Sequence, residues 1–180
     1  MIMWVGLGLG VVVLYGIYAY NHFISLTTQT NNAWSQIDVQ LKRRYDLIPN
    51  LVESVKGYMK HEKGLLTEIT TARAALVKGD IADKAKASDQ ISHALKTIFA
   101  VAENYPKLTA SKNFLMLQEE LSGTESKIAY ARQFYNDSVM DLNTKVQHFP
   151  SNVIAKLTGF TEKEFFKTEG KEREPVKVSF

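Results

Sequence analysis

The chain has 180 residues, 22 Lys and Arg against 19 Asp and Glu, a formal net charge of +3 and no cysteine. So mild a charge excludes the strongly basic character of a dedicated nucleic-acid binder. The lack of cysteine excludes disulfides, thiolate metal sites and cysteine nucleophiles, and leaves the cellular compartment open.

No Asp, Glu, Lys or Arg precedes Asp38, and Met1 to Tyr20 holds only apolar residues, Gly and Tyr. At ~1.5 Å per helical residue, ~20 residues cover ~30 Å, the hydrocarbon thickness of a bilayer. Residues 1–21 are therefore expected to be a transmembrane anchor. Trp4 near one end, with Tyr15, Tyr18 and Tyr20 near the other, suits aromatic belts at two interfaces. A cleaved signal peptide fits less well: Met1 to Trp4 carries no basic residue, and Tyr18-Ala19-Tyr20-Asn21 is a poor small-x-small site. Gly6 and Gly10 form a small-xxx-small pair that suits a helix-dimer face, although glycine is also simply common in membrane helices. Lys42-Arg43-Arg44 follows the anchor and no basic residue precedes it, which favours a cytoplasmic C-terminal domain in a bacterial inner membrane.

Residues 22–160 read as a helical domain. Phe23, Leu26, Thr30, Ala33, Trp34, Ile37, Leu41 and Tyr45 step by three and four. A second stripe holds Val52, Val55, Met59, Leu66, Ile69, Ala72 and Leu76, and a third Ile91, Leu95, Ile98, Ala102 and Tyr105. The fourth follows a coiled-coil-like heptad track through Phe114, Leu117, Leu121, Thr124, Ile128, Ala131, Tyr135, Leu142 and Phe149. Pro49 is expected to end or kink the first helix near Asp46. The stripe's phase nearly continues through it, but an unbroken helix from His22 to Lys78 would run ~85 Å against ~60 Å for the fourth segment. Gly79-Asp80 and Asn104-Tyr105-Pro106 mark the next breaks, with Asp80 a suitable N-cap. Pro150-Ser151 starts a short helix with Val153, Ile154 and Leu157 that Gly159 stops. Residues 161–180 read as a charged, flexible tail whose last stretch, Pro175 to Phe180, alternates apolar and polar. The fold class is all-α: an N-terminal transmembrane helix followed by an antiparallel up-and-down four-helix bundle of long helices.

Little in the chain calls for catalysis. The residues three before His61, His93 and His148 are Tyr58, Gln90 and Lys145, so the Glu-x-x-His of di-metal bundles is absent. There is no phosphate loop, dinucleotide turn or nucleophile elbow. No catalytic residue, metal or cofactor is expected. Arg44 and Glu62 fall beside apolar stripes, where they either fix helix register or reach out to water. Gln118-Glu119-Glu120 suits ion pairing with Arg73 or Arg132.

Ala33-Trp34-Ser35-Gln36-Ile37-Asp38-Val39-Gln40-Leu41-Lys42-Arg43-Arg44, followed by Asp46-Leu47-Ile48-Pro49-Asn50-Leu51-Val52, resembles the signature of the bacterial LemA family. Lys56-Gly57-Tyr58, His61-Glu62, Glu103-Asn104-Tyr105-Pro106, Ser111-Lys112-Asn113-Phe114, Leu117-Gln118-Glu119-Glu120-Leu121 and Phe149-Pro150-Ser151-Asn152 extend the resemblance over nearly the whole chain. It implies a single-pass membrane protein with a helical-bundle domain and no established catalytic residue or substrate. A relative linked to magnetosome membrane formation hints at membrane organisation. Polar positions within the resembling motifs are the candidate partner-binding residues: Arg43, Asp46, Asn50, His61, Glu62, Asn104, Asn113 and Glu119. The expected function is a membrane-anchored, non-enzymatic interaction or scaffold protein. The alternative is membrane shaping through oligomerisation and lipid contact by the 151–158 helix or the Phe165-Phe166 tail. The expected partners are the bilayer through residues 1–21, an unknown protein and a second copy of the chain, with no nucleic acid.

Overall fold

A computed structural model describes residues 2–59, 61–77 and 79–167. The chain is all-helical: α1 Ile2–Lys56, α2 Lys63–Ala75, α3 Ile81–Ala102, α4 Pro106–Thr109, α5 Lys112–Gln147 and α6 Ser151–Thr158. It divides into two compact units. Among the described residues, the first comprises those up to Arg43 and Gly123–Phe165, and the second those of Arg44–Ser122 with Phe166 and Lys167. Both α1 and α5 contribute a segment to each unit.

In the first unit α1 and α5 run antiparallel. Phe23 packs in a cluster with Leu142 and Ala155. Farther along α1, the Thr30 hydroxyl reaches Ser138 O at 3.3 Å and the Trp34 ring lies 5.5 Å from that of Tyr135. Phe23, Thr30, Ala33, Ile37 and Leu41 are buried, as are Thr124, Ile128, Ala131, Tyr135 and Leu142. These are the inward positions of the predicted stripes, because a helix can bury only the face its 3.6-residue period brings round. Phe149, the last residue of the fourth stripe, departs from it: α5 stops at Gln147 and Phe149 is 81% exposed. The Ser151 hydroxyl donates to Lys145 O at 2.7 Å, a carbonyl in the last turn of α5, and lies 2.8 Å from His148 O, which also accepts from the Asn152 N–H at 2.8 Å. Gly159, at φ 79°, takes the left-handed conformation that ends α6.

The second unit decides one of the two outcomes open at Pro49: the helix does not end there. α1 continues past it to Lys56, and the buried stripe continues with Ile48, Leu51 and Val55. A proline inside a helix removes the N–H that would bond the carbonyl four residues back, here Tyr45 O. Arg73 of α2 supplies the missing donor: its Nε donates to Tyr45 O at 2.8 Å, and its guanidinium carbon lies 3.7 Å from the centroid of the Tyr45 ring. The orphaned acceptor is satisfied from outside the helix, so the helix continues. The break falls instead at Gly57-Tyr58, and the predicted second helix shrinks to α2. Arg73 is thereby committed to Tyr45 rather than to the acidic run at Glu119-Glu120.

Arg44 is fully buried. Its Nη1 lies 3.2 Å from Ser88 O, 3.3 Å from Ser88 Oγ and 3.2 Å from Ser92 Oγ, all on α3. Of the two readings of this side chain, the one in which it reaches out to water is thereby excluded, and its acceptors on α3 offset part of the cost of burying a charge. Ala85 and Ala87, close to Ser88 in sequence on α3, are small and buried as well. Asp80 caps α3 as predicted, accepting from the Asp83 N–H at 2.9 Å. Phe99 meets Phe114 edge-on, with centroids 6.2 Å apart, and ties the end of α3 to the start of α5.

The predicted flexible tail divides. Residues 168–180, including the Pro175–Phe180 alternation, lie outside the described residues. Residues 161–165 are held extended along α5. The Asn143 amide reads both sides of the Lys163 peptide group, donating from Nδ2 to Lys163 O at 2.9 Å and accepting at Oδ1 from its N–H at 2.8 Å. The Tyr135 hydroxyl donates to Glu164 O at 2.8 Å. Burial, and secondarily the Glu164 carboxylate, raise the Tyr135 pKa above 10.0. Phe166 is fully buried, which accounts for an aromatic within a charge-dense segment.

Candidate functional site

The eight polar residues singled out from the sequence scatter over two helices and two connections. Arg43, Asp46 and Asn50 are exposed on α1, and Asn113 and Glu119 are exposed on α5. His61 is exposed in the α1–α2 connection, Glu62 is half-buried at the α2 N-cap position without a side-chain capping bond, and Asn104 is exposed in the turn after α3.

Two of the eight come together. Asn50 and Asn113 line one groove of about 370 Å³ in the second unit, with Leu47 and Ser54 from α1 and Met116, Leu117 and Glu120 from α5. The sequence places them there through helical spacing. Residues 47, 50 and 54 share one face of α1, and residues 113, 116, 117 and 120 share one face of α5, since positions three, four and seven apart stack along a helix. The face of each helix adjoining the groove, ~100° round from it, is buried: Ile48, Leu51 and Val55 on α1, and Phe114 and Leu121 on α5. Of the lining residues Leu47, Ser54 and Leu117 are half-buried, and Asn50, Asn113 and Glu120 are exposed to water. Asn113 sits in the first turn of α5, where backbone N–H groups have no helical acceptor.

Such a site combines apolar area from Leu47, Met116 and Leu117 with donors and acceptors of both kinds from the two amides. That chemistry suits a polypeptide, whose backbone offers the matching N–H and C=O and whose side chains supply the apolar part. Glu120, not the predicted Glu119, faces the groove, because a shift of one residue turns a helical side chain by ~100°.

His61 lines a different groove of about 730 Å³ in the same unit, with Val52, Met59, Leu66 and Thr70. In the first unit, Val39, Tyr130 and Phe134, all exposed, line a groove of about 550 Å³ with Ser35 and Lys127. Sequence reasoning missed that one. Its only signal was the presence of large apolar residues off the predicted stripes. Among the described residues no three His, Asp or Glu side chains group as metal ligands.

The model of the LemA family matches residues 33–180. The chain belongs to the LemA family. This LemA-family chain is similar to Magnetosome protein MamQ 2 of Paramagnetospirillum magneticum, at 25% identity over 174 residues, 82% of this chain and 64% of that protein. It is similar also to Protein LemA of Metamycoplasma hominis, at 29% identity over 164 residues, 88% of this chain and 74% of that protein. Magnetosome protein MamQ of Magnetospirillum gryphiswaldense is 24% identical over 174 residues. The match to the magnetosome proteins spans 64% of their length. The LemA-family match takes in all three grooves but begins at Ala33, beyond the apolar front of α1. For that front, the chain's own helix is the observation: α1 is long and apolar enough to cross a membrane, and Trp4, Leu7, Val12, Leu14 and Ile17 are exposed along it.

Proposed function

We propose that this LemA-family protein is a membrane-tethered, non-enzymatic interaction module that presents the Asn50–Asn113 groove to a protein partner. The convergence of these two side chains in one groove, between helices whose adjoining faces are buried, supports the reading. α1 holds the module at the membrane by its apolar front. The charge asymmetry about that front, with Lys42 and Arg43 beyond it, supports a single-pass topology in the bacterial inner membrane with the helical units cytoplasmic.

A photo-crosslinking side chain at Met116, exposed at the rim of the groove, tests this in native membranes. The expected result is a discrete protein adduct that an Asn50→Ala/Asn113→Ala variant diminishes. No adduct, or one indifferent to that variant, refutes the proposal.

A second reading, membrane organisation through oligomerisation and lipid contact, is favoured by the similarity to proteins named as magnetosome proteins. Gly6 and Gly10, with open space where a Cβ would stand, offer the self-association face that it needs.

A further inference from the structure

α6 is apolar on the wrong side for a helix that covers a water-soluble domain. Ser151 and Ala155 are buried one turn apart and define its inward face. At ~100° per residue, Val153 and Leu157 project on the opposite side. They are 47% and 78% exposed, and Phe149, just before the helix, is 81% exposed. An amphipathic helix in water turns polar residues outward. This one turns Val and Leu outward, with Lys156 between them.

The position of α6 says what covers that face. A methyl group on Gly16 of α1 would meet Ile154 Cδ1 at 3.9 Å, and Phe160 stacks on Phe23 at 4.9 Å and lies 5.8 Å from Tyr20. α6 and the residues just after it therefore lie alongside residues 16–23 of α1. There the exposed apolar surface of α1 runs on through Ile17, Tyr18, Tyr20 and Ile24. α6, which turns Val153 and Leu157 outward, thus stands beside the exposed apolar stretch of α1. Tyr18, Tyr20 and Lys156 have the amphipathic character of side chains that settle at the headgroup level.

We infer that α6 is an interfacial foot: it lies in the boundary between headgroups and acyl chains, with Phe149, Val153 and Leu157 inserted into lipid, and fixes how deep α1 sits. This rests on the anchoring of α1 proposed above. A lipid surface is the occupant because α6 packs beside the exposed apolar stretch of α1 that such a surface would cover. Interfacial helices owe their seat to such buried apolar area.

The full-length chain carries no cysteine, so single labels are direct. The protein is reconstituted in vesicles of phosphatidylethanolamine and phosphatidylglycerol, with an environment-sensitive fluorophore on Leu157→Cys, Val153→Cys, Val12→Cys or Ser35→Cys. Ser35 is exposed and ~28 Å farther along α1 than Gly16. Labels at Leu157 and Val153 should be quenched by acyl-chain nitroxide lipids several-fold more than at Ser35, and by aqueous iodide several-fold less. Iodide quenching at Leu157 equal to that at Ser35 overturns the foot. Protection at Leu157 from both quenchers overturns it in favour of a covering protein. The Val12 label separates the two readings: lipid quenching there without quenching at Leu157 spares the anchor, and no lipid quenching at Val12 removes the anchor and the foot together.

Discussion

The passage of α1 through Pro49 depends on one hydrogen bond from another helix, and its contribution can be isolated. Arg73→Ala removes a charged donor from Tyr45 O, which costs about 1.5–3 kcal/mol when the acceptor is left unmet. It also removes the guanidinium from the Tyr45 ring, a further loss of about 0.5–1 kcal/mol at a half-exposed site. The sum is roughly 2–4 kcal/mol, a fall in Tm of about 4–16 °C for a chain of this size. Pro49→Ala restores the N–H that Tyr45 O lacks. In that background Arg73→Ala should cost only the ring contact, about 0.5–1 kcal/mol. Urea unfolding of the four full-length proteins in detergent micelles, followed by circular dichroism, gives the coupling directly. An Arg73→Ala cost that is the same with and without the Pro49→Ala substitution would refute the argument, because the helix would then not need Arg73 to pass the proline.

Three further outcomes follow from the packing. Arg44→Ala empties a buried site and strips Ser88 O of a donor, so it should destabilise the protein by about 3 kcal/mol in the same urea assay, whereas the exposed neighbour Arg43→Ala should cost under about 0.5 kcal/mol. Asn143→Ala deletes both hydrogen bonds to the Lys163 peptide group; the Lys163 amide should exchange with deuterium many-fold faster while amides within α5 stay protected. The raised pKa of Tyr135 means that the fold holds the phenolic proton more tightly than the unfolded chain does. Its contribution is complete below the unfolded value of 10.0 and is lost as pH rises from there through the folded pKa, so Tyr135→Phe should flatten the alkaline loss of stability while lowering stability at neutral pH by about 1 kcal/mol.

The candidate site was only partly legible. Asn50 and Asn113 were picked as polar positions in distinctive motifs, and they meet in one groove. Nothing in the sequence says that they meet, since they lie on helices far apart in the chain. Charge suggests a carboxylate partner in the acidic run for Arg73 or Arg132. For Arg73 it misleads. Its partner is instead a backbone carbonyl, which no side-chain pattern reveals. The docked segment 161–165 was read as mobile because its composition is charged. It is its backbone that binds, through Asn143 and Tyr135, and backbone groups look alike in every sequence.

By itself the amino-acid sequence determined the helical class, the apolar front of α1 and the identity of most core residues. Each of these is a local property: a helix places residues three and four apart on one face, so a periodic stripe declares its own burial. The same holds for Asp80 as a cap and Gly159 as a stop, which act within one turn. Only the tertiary structure decided that α1 survives Pro49, that Arg44 is buried and that α6 adjoins the apolar front of α1. Those outcomes depend on a donor, an acceptor or a surface that arrives from elsewhere in the chain: Tyr45 O is satisfied by a residue 28 positions away, and Arg44 by one 44 positions away.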